Sequence, residues 1–315
     1  MPVHNEKNNA AVRINDSSRV KASVRDRIEA FKDSVFDRKA MIRGAQPAIL
    51  APEEAKRQEF PNLGNYNPLG PLRPLLNELG SMQSRERIFP MAAPTGIVMK
   101  KVIEDHIGRY EFAREYTEGR RVLDVACGSG YGTAILLNNA ISRIGIDINT
   151  EAIAYAGSHY YIKGIDTGRL LFTNADAMKF LDSPLSFGTI VSLETITYME
   201  DPMKFLDLIY KSLEPKGTLV LSTPNRIFTD LFYGGIFNSA HKHEFYTYEM
   251  ASMIENVFGN KPQIFALRPV KKKSLVSSGI RAFLDNNPQI VPVTEEITGI
   301  NNIFVAKKKG KTGSE

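Results

Sequence analysis

Val122-Leu123-Asp124-Val125-Ala126-Cys127-Gly128-Ser129-Gly130-Tyr131-Gly132 decides how this chain is read. An apolar run ends in the Asp124 carboxylate, and glycines follow at every second position, Gly128, Gly130 and Gly132. A buried strand that stops at an acid and turns on glycines lets a ligand lie against backbone N–H groups. The helix that follows then turns its positive end towards that ligand. A dinucleotide fingerprint needs Gly or Ala at its sixth position, where helix and strand approach closely. Here that position is Thr133. A carboxylate in the turn would also repel a pyrophosphate, whereas a ligand carrying positive charge suits it.

Outward from this turn, strand and helix patterns alternate. Strands are expected near 121–126, 143–148, 169–174, 188–193 and 217–223, with helices near 131–139, 150–162, 176–182 and 202–213 between them. A helix near 247–257 and strands near 262–268 and 301–307 complete the set. Asp201-Pro202 is an N-cap and first-turn pair. This alternation predicts an α/β fold, a doubly wound and mostly parallel seven-stranded sheet with helices on both faces. Ligands in such sheets sit beyond the carboxyl ends of the strands. Acids stand at those ends: Asp147 in Ile144-Gly-Ile-Asp-Ile148, Asp176 in Asn174-Ala-Asp-Ala177, and Glu194 in Ser192-Leu-Glu-Thr195. Each alone reads more readily as a turn or helix cap than as a ligand contact. Together, after consecutive strands and in register with the glycine turn, they read as a ligand set. S-adenosylmethionine fits it, because its amino group and sulfonium are both positive. Asp147 is placed for its ribose hydroxyls and Asp176 for its adenine amine.

The 315 residues hold one large domain and an appendage; 43% are hydrophobic and 24% charged, with a net charge of +5. Lys271-Lys272-Lys273 and Lys307-Lys308-Lys309 read as solvated lysines rather than a nucleic-acid patch. Cys127 is the only cysteine, so neither a disulfide nor a zinc cluster is expected. Residues 1–84 read as an N-terminal arm: a disordered tail, an amphipathic helix through Val20, Val24, Ile28, Phe31 and Val35, and a Pro-rich linker from Gln46 to Pro74. Within the arm, Pro68 to Gly80 leads into a short apolar helix, a candidate contact for a membrane surface or a glycosyltransferase. The catalytic domain is expected over 85–309 and a disordered tail over 310–315. No signal peptide or membrane span is read, and a cytoplasmic location is expected.

The glycine turn has the Asp-x-x-x-Gly-x-Gly-x-Gly form of the class I S-adenosylmethionine-dependent methyltransferases, which this chain resembles. Glu104-Asp-His-Ile-Gly-Arg-Tyr-Glu-Phe-Ala113, Leu221-Ser-Thr-Pro-Asn225 and Asn238-Ser-Ala-His-Lys-His-Glu-Phe245 narrow the likeness. They are similar to bacterial methyltransferases associated with polysaccharide and lipopolysaccharide biosynthesis, over roughly residues 85–260. The resemblance implies S-adenosylmethionine as cofactor and a glycan or small-molecule acceptor. It implies a cofactor site at Asp124, Ala126, Gly128, Gly130, Tyr131, Asp147, Ile148, Asp176, Ala177 and Leu193. Arg109 and Tyr110 are placed against the methionine carboxylate, and His106 on a helix that lids the cofactor. Two departures stand out. Thr197-Tyr198 occupies the usual Glu-His position after the fourth strand, and Phe187-Gly188 occupies the usual Phe-Asp.

Methyl transfer to a hydroxyl requires a base for the acceptor proton. His241 is the first candidate, with His243, Glu194 and Tyr198 as alternatives. Three other readings stay open: a quinone-type or other small-molecule O-methyltransferase, a non-catalytic cofactor-binding scaffold, and a nicotinamide oxidoreductase. Leu193-Glu-Thr-Ile196 stands where base-methylating enzymes carry Asp/Asn-Pro-Pro-Tyr/Phe, so a nucleic-acid substrate is not expected.

Overall fold

The computed structural model describes residues 97–136, 140–160, 169–233, 238, 240–285 and 287–310. The expectations for the N-terminal arm and for residues 311–315 lie outside the described residues. Helix α1 (Ile97–Arg114) leads into β1 (Arg121–Val125), α2 (Tyr131–Ile135), β2 (Ser142–Asp147), α3 (Thr150–Tyr160) and β3 (Leu170–Asn174). Then come α4 (Ala177–Leu181), β4 (Phe187–Leu193), a 3₁₀ turn (Ile196–Tyr198), α5 (Pro202–Ser212) and β5 (Leu213–Pro224). The last part holds α6 (Arg226–Tyr233), α7 (Thr247–Phe258), β6 (Gln263–Lys271), α8 (Leu275–Leu284), β7 (Ile290–Pro292) and β8 (Ile297–Lys307).

The sheet runs β3-β2-β1-β4-β5-β8-β6-β7. The strands from β3 to β5 pair in parallel, and β8 inserts antiparallel between β5 and β6. Strand order therefore reverses between β1 and β4, and a crevice opens at their carboxyl ends. The sequence predicts seven strands and the sheet has eight. The extra one, β7, is three residues long and ends on Pro292, too short to show alternation. It pairs only with β6 at the sheet edge, where a residue without an N–H is tolerated. Helices α6 and α8 also escaped the sequence reading.

The central strands are buried on both faces and read as near-continuous apolar runs, as in β4, where six of the seven residues are buried. On one face Phe205, Leu206, Leu208 and Ile209 of α5 join Leu123, Ile190 and Leu219 of the sheet in one core. Asp201 caps α5 through the Lys204 N–H at 2.9 Å, as its Asp-Pro start predicts. Removing Phe205 side-chain volume would cost about 3–5 kcal/mol.

Helix α1 is anchored at its far side. Arg268 Nε donates to both oxygens of Asp105 at 2.9 and 2.8 Å. Its Nη1 and the Lys101 ammonium donate to carbonyls at the end of α8, including that of Asp285. Two cations thus meet the negative end of α8 and fix α1 against β6. That anchoring holds α1, with His106 and Tyr110, beside the crevice. Among the described residues, no helix is long and apolar enough to cross a membrane.

Candidate cofactor and acceptor site

The turn after β1 departs from strand geometry immediately. Ala126 takes φ 59° and Gly128 and Gly130 take φ 56° and 82°. At Gly130 a Cβ would stand 2.5 Å from Ala156 Cβ, and at Gly132 it would fall 2.0 Å from the Tyr110 ring, so both positions exclude a side chain on space alone. Glu194, directly after β4, is also left-handed at φ 58°. Two non-glycine residues in this sparsely populated region flank the point where strand order reverses. Strain of about 1–3 kcal/mol per residue is tolerated there because the surrounding structure dictates the turn.

A cleft of about 320 Å³ opens at this place. Of the residues named from sequence, Tyr110, Ala126, Gly128, Tyr131, Asp147, Ile148, Asp176, Ala177, Leu193, Glu194 and Tyr198 line it. Asp124, Gly130, Arg109, His241 and His243 do not. Cleft residues outside the sequence-derived set include Ser129, Met178, Thr195 and Met199, while His106, expected on a helix over the cofactor, lines the cleft as well. The two methionines follow strand ends without a local signal of their own.

Asp124 lies beneath the turn, fully buried, where the Thr133 hydroxyl donates to it at 2.6 Å and the Tyr110 hydroxyl at 3.3 Å. Burial raises its pKa to about 7, against the pull of those two donors. It secures α2 and α1 to the strand end. Asp147 accepts the backbone N–H of Gly128 at 2.9 Å on one oxygen and that of Asn149 at 2.8 Å on the other. A carboxylate oxygen can accept more than one hydrogen bond. Asp176 caps α4 through the Lys179 N–H at 3.0 Å while lining the cleft.

Arg109 is buried and its Nη1 lies 3.3 Å from Glu194 Oε1. The same oxygen accepts the Ser222 hydroxyl at 2.7 Å, and the other accepts Asn301 Nδ2 at 3.1 Å. Neither Ser222 nor Asn301 carries a sequence signal for this contact, because both arrive from strands distant in the chain. On the same face of α1, His106 Nδ1 lies 2.9 Å from the Tyr131 hydroxyl, and Tyr131 meets the Tyr110 ring edge-on at 5.8 Å.

The loop after α6 packs on the 3₁₀ turn. The N–H groups of Lys242 and His243 both donate to the Thr197 carbonyl, and Asn238 Nδ2 donates to the Tyr198 hydroxyl at 3.0 Å. His241 contacts the Tyr198 ring edge-on at 4.9 Å, and its Nδ1 lies 2.9 Å from Oε1 of the buried Glu244. His243 is more exposed and faces the Glu200 carbonyl at 3.4 Å. Tyr198, standing where the resembling group usually has histidine, therefore forms the cleft wall with His241 behind it.

Among the described residues, three carboxylates and no lysine or arginine line the cleft, with apolar walls from Ile148, Met178 and Met199. Such a surface accepts an adenosine ligand with a positive tail and disfavours a pyrophosphate. Sheet order, glycine turn and acid-lined cleft together define a class I S-adenosylmethionine-dependent methyltransferase domain. Residues 116–271 match the family described as Methyltransferase domain.

The chain is 28% identical over 140 residues to the Mycolicibacterium smegmatis protein named "Probable S-adenosylmethionine-dependent methyltransferase", covering 44% of this chain and 51% of that one. It is 32% identical over 122 residues to the ubiquinone biosynthesis O-methyltransferase of Xanthomonas campestris pv. campestris, covering 37% of this chain and 48% of that one. It spans about half the length of these curated relatives. Among solved structures, the N-methyltransferase NodS of Bradyrhizobium japonicum WM9 with S-adenosyl-L-homocysteine superposes with a TM-score of 0.46 at 14% identity, covering 74% of this chain and 97% of that one.

Proposed function

We propose that the chain is an S-adenosylmethionine-dependent O-methyltransferase. The observation that carries this reading is the acid-lined cleft at the β1/β4 switch point, lined by Asp147, Asp176 and Glu194 and, among the described residues, by no lysine or arginine. Bound there, S-adenosylmethionine supplies an activated methyl group. Asp147 accepts hydrogen bonds from the ribose hydroxyls, Asp176 faces the adenine amine, and Tyr131 covers the ligand. His241 takes the acceptor proton, and the carboxylate of Glu244 stabilises the imidazolium that forms. Tyr198 shapes the acceptor side of the cleft, with Asn238 fixing its hydroxyl.

The acceptor is read as a sugar or glycan hydroxyl of cell-envelope polysaccharide. Support comes from the Glu104–Ala113 helix and the Asn238–Phe245 loop. A second reading, a quinone-type phenolic hydroxyl, draws on relatives named ubiquinone biosynthesis O-methyltransferase at 28–32% identity. A cytoplasmic location and the division into 1–84, 85–309 and 310–315 belong to the same proposal. Transfer of a labelled methyl group from S-adenosylmethionine into cell-envelope glycan supports the first acceptor. Transfer only to a catechol or quinol supports the second. Binding of S-adenosylhomocysteine with turnover on neither would leave a scaffold and end the enzyme reading.

A further inference from the structure

We propose that His106 binds the carboxylate at the amino-acid end of the cofactor, with Tyr131 as the positioning residue that fixes its tautomer. The inference rests on the reading that the cleft takes S-adenosylmethionine.

The sequence singles out Arg109 and Tyr110 for that carboxylate, and the structure finds both engaged elsewhere. Arg109 pairs with Glu194 at 3.3 Å and does not line the cleft, and the Tyr110 hydroxyl donates to Asp124 at 3.3 Å. Position 106 is three and four residues before these on α1, so it shares their face, and its side chain does line the cleft.

The proton arrangement between His106 and Tyr131 follows from burial. Tyr131 is enclosed, and burial holds its phenol protonated. Burial, with Arg109 nearby, holds the His106 imidazole neutral, well below the usual histidine range. A phenol O–H 2.9 Å from Nδ1 then donates to it, and the ring hydrogen resides on Nε2. His106 is thereby fixed as a neutral donor on the cleft wall.

Two hydroxyls of the cleft are already engaged. The Thr195 hydroxyl turns to the carbonyls of Val125 and Leu193, and the Tyr110 hydroxyl to Asp124. The ligand carboxylate cannot sit against Asp147, Asp176 or Glu194 without repulsion. The α1 side, with a neutral N–H donor at His106 and with Arg109 already balancing Glu194, suits it. The positive tail is then left to the acid-rich side.

The test compares two ligands by calorimetry on the full chain. S-adenosylhomocysteine carries the amino-acid end, and 5′-methylthioadenosine lacks it. His106→Ala is expected to weaken S-adenosylhomocysteine roughly 10- to 100-fold, the range for a hydrogen bond to a charged group. Its affinity for 5′-methylthioadenosine stays within about twofold. Tyr131→Phe keeps the ring and removes the donor, so it gives a smaller loss, again for S-adenosylhomocysteine alone. Retained 5′-methylthioadenosine binding shows in each case that the variant is folded. Equal loss of both ligands, or no loss of either in both variants, overturns the role given to His106. If the unmodified chain binds neither ligand, the cofactor reading fails, and this inference with it.

Discussion

The Arg109 guanidinium lies 3.3 Å from the Glu194 carboxylate, joining α1 to the left-handed residue at the end of β4. The buried cation is balanced, and Glu194 is held by three side chains, Arg109, Ser222 and Asn301. Replacing Arg109 by Met should lower stability by about 2–4 kcal/mol, since a partly buried carboxylate loses its countercharge. Adding Glu194→Gln should recover part of that loss. Urea unfolding of the two single variants and the double variant measures the coupling; strictly additive losses would show that the pair contributes nothing specific.

Asp124 ionises only with difficulty, because burial raises its pKa from 3.8 to about 7. The sign follows directly. The neutral carboxyl contributes stability that is fully present below the unfolded value and is lost as pH rises through about 7. Asp124→Asn abolishes this titration. The stability of the native chain relative to the variant should therefore fall between pH 4 and pH 8, by on the order of 4 kcal/mol at most. Chemical denaturation across that range checks the slope, whatever the fixed cost of the amide to the Thr133 and Tyr110 hydrogen bonds.

Gly130→Ala places a Cβ at φ 82° and 2.5 Å from Ala156. The left-handed conformation and the clash with α3 together should destabilise by about 2–5 kcal/mol. Because the turn must move to relieve the contact, S-adenosylhomocysteine affinity should fall as well. Thermal unfolding and calorimetry measure the two effects separately.

Asp147→Ala should weaken S-adenosylhomocysteine roughly 10- to 100-fold, through lost contacts to the ribose hydroxyls. The variant also frees the Gly128 N–H, bound to Asp147 at 2.9 Å. Unchanged affinity would remove Asp147 from the cofactor site.

His241→Ala should reduce kcat by roughly 10²- to 10⁴-fold on the acceptor that the labelling experiment identifies. His241 does not line the cleft, so the dissociation constant for S-adenosylhomocysteine should stay within about twofold. A loss of cofactor affinity equal to the loss of kcat would contradict its assignment as the base.

Local patterns carried most of the fold. Buried parallel strands announce themselves as apolar runs, and the acids at or just beyond the ends of β1, β2, β3 and β4 stand at chain positions that need no tertiary knowledge to find. α8 escaped notice although Val276, Ile280, Phe283 and Leu284 sit at helical spacing, because its run is short and follows three lysines. β7 was illegible for a firmer reason. Three residues at an edge are shaped by their partner β6, not by their own pattern.

By itself the sequence determined the glycine turn, the order of strands and helices, and the acidic character of the ligand end, since these depend on neighbours close in the chain. Only the tertiary structure decided what each charged group does. It placed Asp124 beneath the turn, paired Arg109 with Glu194, set Tyr198 in the cleft wall with His241 behind it, and joined His106 to Tyr131. A side chain's protonation and partner are set by burial and by groups that arrive from other strands. The residues on either side of it in the sequence do not contain that information.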